Sequence, residues 1–290
     1  MIKITDDYIT DGKLDKEALA LFGSSVVKIE GDKITFKTYV EFYKCNSLTS
    51  VSGVTFKKRV LFRVCNFLAS IADVIFNSDV ELFLCNSLAS VKNTTFNGNV
   101  DFLRCKSLAS VAGATFNSKA KFLYCDSLTS VVGATFSGGV DFWECNSLTS
   151  VAGATFNGNV EFEWCDSLAS VAGTTFSSNV EFSYCKSLTS LEGATFNGGV
   201  DVNWCRSLIS VSGAVFKGEV AFWYCDSLVS VASSTFNNRV LFRDCNSLNS
   251  VAGVVFNNDV EFVSCESLAS VAGATFKKGF KAYRCPNLKQ

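Results

Sequence analysis

From residue 40 onward, apolar and polar positions recur with a period of 20. One unit reads Val160-Glu-Phe162-Glu-Trp-Cys165-Asp-Ser-Leu168-Ala-Ser-Val171-Ala-Gly-Thr-Thr-Phe176-Ser-Ser-Asn. Valine and phenylalanine two residues apart, with polar neighbours, form the pattern of a short strand that turns both side chains to one face. The inward set predicted for a coil is then Val180, Phe182, Cys185, Leu188, Leu191 and Phe196. Glycines such as Gly153 and Gly173, and Asn157-Gly158, supply the bends. A 20-residue period without an insertion is too short for a pair of helices and suits one coil of a β-solenoid. One coil cannot bury its apolar side alone, so the fold requires stacking. The expectation is an all-β repeat protein of about 12–13 coils over residues 40–290.

Residues 1–39 break the pattern. Thirteen of these 39 are charged, against 40 of the 251 that follow. Asp15-Lys-Glu-Ala-Leu-Ala-Leu-Phe22 before Gly23 predicts a short helix with an acidic first turn and a glycine stop. Val26, Ile29, Gly31 and Phe36 echo Leu48, Val51, Gly53 and Phe56 as one degraded coil. The segment is read as an N-terminal cap over the open apolar end of the stack. At the other end Phe280 and Ala282 replace the usual valine and phenylalanine among lysines, Arg284 and Pro286, the charge and proline that guard a strand edge.

Phe42-Tyr-Lys-Cys45-Asn-Ser-Leu48-Thr-Ser-Val51 and Phe182-Ser-Tyr-Cys185-Lys-Ser-Leu188-Thr-Ser-Leu191 resemble the F-x-x-C-x-S-L-T-S-I segment of BspA-like bacterial leucine-rich repeats. Val160-x-Phe162-x-x-Cys165 also fits the general leucine-rich-repeat core. The I-P-x-S-V stretch of that family is absent, and Cys165 to Leu168 is one residue longer than N-x-L. The resemblance implies a right-handed, leucine-rich-repeat-like scaffold used for adhesion or protein binding. A curved arc and a straight β-helix both remain open.

Composition narrows the chemistry. Histidine is absent, which excludes His-based triads, HExxH zinc sites and imidazole acid–base catalysis. A net charge of -1 offers no polycation for nucleic acid. No apolar run reaches the 18 residues of a spanning helix and the start is not of signal-peptide type. No membrane insertion is therefore expected, and a cytoplasmic location is, with a signal-independent export route left open.

The 13 cysteines stand at regular 20-residue intervals from Cys45 to Cys285. Soft-metal binding, redox sensing and a disulfide stack are the chemical readings. An odd count, no CxxC pair and a start that is not of signal-peptide type argue instead for cysteine as a small buried apolar residue. No cofactor or metal is expected. Thr95, Thr115, Thr135, Thr155, Thr175 and Thr195 form a threonine ladder, and Ser150, Ser170 and Ser190 a serine one. Such hydroxyls are expected to satisfy backbone groups at bends, with ice or crystal-surface binding as the functional alternative.

The varying outward positions of the first strand carry more information. The first is mostly acidic: Asp141, Glu161, Glu181 and Asp201 follow one another, and Lys121 precedes them. The other two hold Trp143, Trp164, Trp204 and Trp223, with Tyr124, Tyr184 and Tyr224. Like charges in file repel across a ladder, and clustered aromatics mark binding surfaces. Carboxylates about 5 Å apart suit a retaining glycosidase, but a motif repeated on four coils singles out no acid and no nucleophile, so no enzyme is expected. The reading is a scaffold that binds a protein or peptide, attracted by its basic residues, through Asp141, Trp143, Glu161, Trp164, Glu181, Tyr184, Asp201, Trp204, Trp223 and Tyr224. The alternatives are a carbohydrate- or surface-binding adhesin module and a structural or ice-surface protein.

Overall fold

A computed structural model describes residues 1–289. It is nearly all β: stacked parallel strands form a β-solenoid of about 12 turns of roughly 20 residues, with almost no helix. By its contacts the chain groups into two compact units, Met1–Asn146 with Gly153–Thr155, and Ser147–Ala152 with Phe156–Gln290.

In the first unit the strand Ile2–Ile4 pairs in parallel with Val40–Tyr43. Val60–Arg63, Val80–Phe83, Val100–Leu103, Ala120–Leu123 and Val140–Trp143 follow in unbroken register. A second sheet stacks the strands Val54–Phe56, Ile75–Phe76, Thr95–Phe96, Thr115–Phe116 and Thr135–Phe136. Its outermost strand, Val27–Glu30, is antiparallel to Lys33–Phe36. The stretch that echoes a coil is therefore a hairpin, turned at Gly31 with φ 58°. Only its second strand joins the stack, Phe36 lying opposite Phe56. The helix Lys16–Ala20 is capped by Asp15, whose carboxylate accepts from the N–H of Glu17 (2.8 Å) and Ala18 (3.1 Å).

In the second unit Val160–Glu163, Val180–Ser183, Val200–Asn203, Val220–Trp223, Val240–Arg243, Val260–Val263 and Phe280–Tyr283 form one parallel ladder. Thr175–Phe176 through Thr275–Phe276 form the other.

The predicted inward set is the core: Val180, Phe182, Cys185, Leu188, Leu191 and Phe196 are all buried. Its phenylalanines make two columns per unit. Rings stack along a column, as Phe102–Phe122 at 4.9 Å and Phe162–Phe182 at 5.2 Å, and meet edge-on between columns, as Phe116–Phe122 at 5.8 Å and Phe182–Phe196 at 6.4 Å. The cysteines from Cys45 to Cys265 are buried beside them. Each also does something that alanine could not. The thiol of Cys125 donates to the carbonyl of Phe102 (3.5 Å), that of Cys185 to Phe162 (3.6 Å), and that of Cys205 to Phe182 (3.6 Å), so the sulfur ties a coil to the strand of the coil before it. Burial pushes the Cys125 thiol well above its ordinary range, which holds it in the protonated, donating form.

The hydroxyl ladders divide. Serine oxygens accept from the N–H two residues on: Ser150 from Ala152 (3.1 Å), Ser170 from Ala172 (3.0 Å) and Ser190 from Glu192 (3.0 Å). The threonines differ from expectation. They sit within the second ladder rather than at a bend, Thr95 opposite Thr115 and Thr175 opposite Thr195, because the inward phenylalanine beside each one turns its hydroxyl outward.

Candidate functional site

The first strand of each coil is four residues long, and its second and fourth side chains face outward. The fifth position, also read from the sequence as a strand position, lies past the strand end. Trp164, Tyr184, Trp204 and Tyr224 have φ of 56°, 56°, 56° and 53°, in the left-handed region. The bend keeps the ladder intact, because each N–H still reaches the next coil: Trp164 to the carbonyl of Ser183 (3.0 Å) and Trp204 to that of Trp223 (2.9 Å). A non-glycine residue held there costs on the order of 1–2 kcal/mol. In the second unit that position carries an aromatic ring on four successive coils.

Those four rings form one column. Trp164 stacks on Tyr184 with centroids 4.4 Å apart, Tyr184 on Trp204 at 6.0 Å, and Trp204 on Tyr224 at 4.1 Å, all within 20° of parallel. Trp164 and Trp204 belong to one continuous stack, since Tyr184 lies between them. Cations of the same chain already lie over the rings: Lys186 at 5.6 Å from Trp164, and Arg206 at 4.9 Å from Trp204. Lys186 is itself paired with Asp166 (2.8 Å) and Arg206 with Asp226 (3.5 Å). What the half-buried column offers a partner is ring edges rather than open faces.

Trp223 stands apart from this column. It is the last residue of its strand, opposite Asn203 and Arg243, with the Arg243 guanidinium 4.9 Å from its ring. Trp143 holds the same strand position in the first unit, 37% exposed, and donates its indole N–H to Glu144 (3.2 Å). Asp141, on the same strand, lies opposite Lys121.

Along the second position of the second unit Glu161 lies opposite Glu181, and Glu181 opposite Asp201. All three are exposed. Glu181 accepts a hydrogen bond from the Ser183 hydroxyl (2.7 Å). None of the described lysines or arginines forms an ion pair with Glu161, Glu181 or Asp201. Partial desolvation of the carboxyl first, and the charge of Glu181 second, raise Asp201 above its ordinary value although the residue as a whole stays exposed. Between the acids and the aromatic column run Glu163, Ser183, Asn203 and Trp223, the middle two short and polar, so the face is a strip with carboxylates along one side and ring edges along the other.

Two features escaped the sequence reading. In the first unit the fourth strand position holds Phe83, Leu103, Leu123 and Trp143 in direct register, an apolar file on the outward face. Its signal was in the sequence, at the same phase as the tryptophans, but aliphatic side chains there read as ordinary strand formers. The second feature is a depression of about 310 Å³ in the second unit, between Asp201, Glu219, Ala221, Arg239 and Leu241, floored by Val200 and Val220. Equivalent depressions of about 290 and 300 Å³ recur beside Glu81 and Glu261, and this one differs from the first in having Ala221 and Leu241 where that has Asp101 and Lys121.

Among the described residues no helix is long and apolar enough to cross a membrane, and no three metal-capable side chains gather into a site. Compared with protein-family models, with curated proteins and with solved structures, the chain matches none.

Proposed function

We propose that the chain is a non-enzymatic binding scaffold whose second unit holds an extended protein segment bearing basic residues, along the strip between Glu161, Glu181 and Asp201 and the aromatic column. The observation that carries this reading is three carboxylates in direct register with no described lysine or arginine paired to them, beside a column of four stacked rings. Like charges directly opposite one another weaken a sheet, and a basic partner relieves that cost. The aromatic edges supply apolar contact beside it. Stacking on a neutral sugar is less well supported, since the ring faces are covered by one another and by Lys186 and Arg206.

The test is binding of the intact protein to arrays of peptides and glycans at two salt concentrations. Basic peptides should bind, weaken with salt, and weaken further in Glu161→Gln and Glu181→Gln variants, mainly through slower association. Binding to neutral glycans with no salt dependence would overturn the reading.

A second reading rests on the other sheet. Thr95, Thr115 and Thr135 stand in register there, and the amides of Asn97 and Asn117 link successive coils (2.9 and 2.7 Å). An uncharged, regular array of this kind suits an ordered surface, ice included. Inhibition of ice recrystallisation, lost in Thr115→Lys, is the measurement that would favour it.

A further inference from the structure

The repeat contains its own demonstration of what pairs with one of these acids. Arg59 immediately precedes the strand Val60–Arg63, and its guanidinium reaches forward to pair with Glu81, the second residue of the following strand. Arg239 stands in the same position before Val240–Arg243 and pairs with Glu261 (3.0 Å) in the same way. The two pairs arise in different units from one geometry, acid and arginine being separated by 22 residues in both.

Asp201 has the acid of this pair and lacks the arginine. The residue 22 positions before it is Asn179, and the next coil has Gly199 in that place. Both line the depression, together with Asp201, Glu219, Ala221 and Leu241. The Asn179 side chain is committed, its Oδ1 accepting from the N–H of Gly199 (2.8 Å). Arg239, on the far wall, is committed to Glu261. Neither Asp201 nor Glu219 is ion-paired within the described chain. The floor of Val200, Val220 and Ala221, with Leu241 beside it, is apolar. A guanidinium on an aliphatic stem matches both parts: the stem lies on the apolar floor and the planar head donates to carboxylate oxygens, as Arg59 and Arg239 do from within the chain.

We propose that this depression accepts one arginine side chain of the bound segment, its guanidinium beside Asp201 as those of Arg59 and Arg239 stand beside Glu81 and Glu261. The inference rests on the reading of the strip as a site for basic segments and adds which side chain is recognised, and where. Arginine is favoured over lysine because a compact ammonium cannot donate in parallel to a carboxylate.

The experiment uses the full chain and three eight-residue peptides that alternate serine with arginine, with lysine or with citrulline. The arginine peptide should bind at least about tenfold more tightly than the lysine one, and the citrulline peptide should not bind. Asn179→Arg, which rebuilds the internal pair with Asp201, should weaken the arginine peptide about tenfold and erase its advantage over lysine. Ala221→Leu, which fills the floor, should do the same. Unchanged far-ultraviolet circular dichroism and slow reaction of the buried thiols serve as controls for the fold.

If both variants keep the full arginine preference while Glu161→Gln and Glu181→Gln weaken all basic peptides, the assignment of this depression is wrong and the broader reading of the strip stands. If no basic peptide binds the parent protein, both fall together.

Discussion

The two units use the same coil, the same phenylalanine columns and the same thiol-to-carbonyl ties, and they differ on the outward face of the first strand. In the first unit its acids have cations beside them. Glu81 is paired with Arg59 and lies 3.7 Å from Arg63, while Asp101 and Asp141 both lie opposite Lys121. Beside them runs the apolar file of Phe83, Leu103, Leu123 and Trp143. In the second unit Glu161 lies opposite Glu181, Glu181 opposite Asp201 and Asp201 opposite Ala221, and the apolar content has moved one position on, into the column of Trp164, Tyr184, Trp204 and Tyr224. Glu81, paired with Arg59, and Lys121, between Asp101 and Asp141, show that the coil accommodates a cation beside these acids. The unpaired Glu161, Glu181 and Asp201 of the second are therefore no requirement of the architecture, and that is the reason to propose the binding site there.

The comparison is sharpest where the units should agree. Phe102→Ala in the first unit and Phe182→Ala in the second each remove a fully buried ring from a stacked column, and each should cost about 3–5 kcal/mol. Hydrogen exchange resolved by segment, which reports each unit separately, checks this. Costs that differ by more than the breadth of that range would mean that the cores are not equivalent.

A smaller effect, confined to the second unit, is expected at the column. Trp204→Ala removes two ring contacts and should cost about 1–3 kcal/mol. Trp204→Gly should cost no more than Trp204→Ala, because glycine relieves the left-handed backbone at φ 56°. At Phe182, whose backbone is ordinary strand, glycine should be the worse replacement. Denaturant titration of the four variants tests both orders. A Trp204→Gly variant clearly less stable than Trp204→Ala would remove the bend from the argument.

The smallest effects concern charge, and they carry opposite signs. Arg59→Ala should destabilise the first unit by no more than about 1 kcal/mol, since both partners are partly solvated. Asp201→Asn should stabilise the second by a few tenths of a kcal/mol at neutral pH, by removing one of three like charges in file. The folded-state carboxyl of Asp201 lies above its ordinary value of 3.8, so the native state holds this proton more tightly than the unfolded chain. Its penalty is absent below 3.8 and grows as the pH rises through the raised value. The advantage of Asp201→Asn should accordingly vanish on acidification, in thermal melts followed from neutral pH to pH 3. A gain that persists at pH 3 would assign the effect to something other than charge.

Much of this molecule was legible without coordinates. The register of Val160, Phe162, Cys165, Leu168, Val171 and Phe176 announced its period, its inward face and repeats built without helices. Asp15 and Gly23 bracketed the short helix. The columns and the acid file follow from that period, because in a parallel stack in perfect register each residue meets its own equivalent one coil on. The strip could be located for the same reason.

What resisted the sequence were features set by backbone conformation and by the reach of side chains. Strand alternation carries a pattern only as far as the strand extends, and nothing in the identity of Trp164 or Trp204 signals the left-handed bend that lifts their rings out of the strand face and onto Tyr184 and Tyr224. The hairpin of Val27–Glu30 and Lys33–Phe36 reversed a strand whose residues read as a coil, because direction is decided by the turn at Gly31 and not by apolar spacing. The pairing of Arg59 with Glu81, and its absence at Asp201, joins residues 22 apart that become neighbours only when coils stack. The sequence by itself determined the repeat, its core and the chemistry of each outward position. The tertiary structure decided which of those groups are satisfied within the chain and which face outward without a partner, because satisfaction depends on distances that only the stacked coils create.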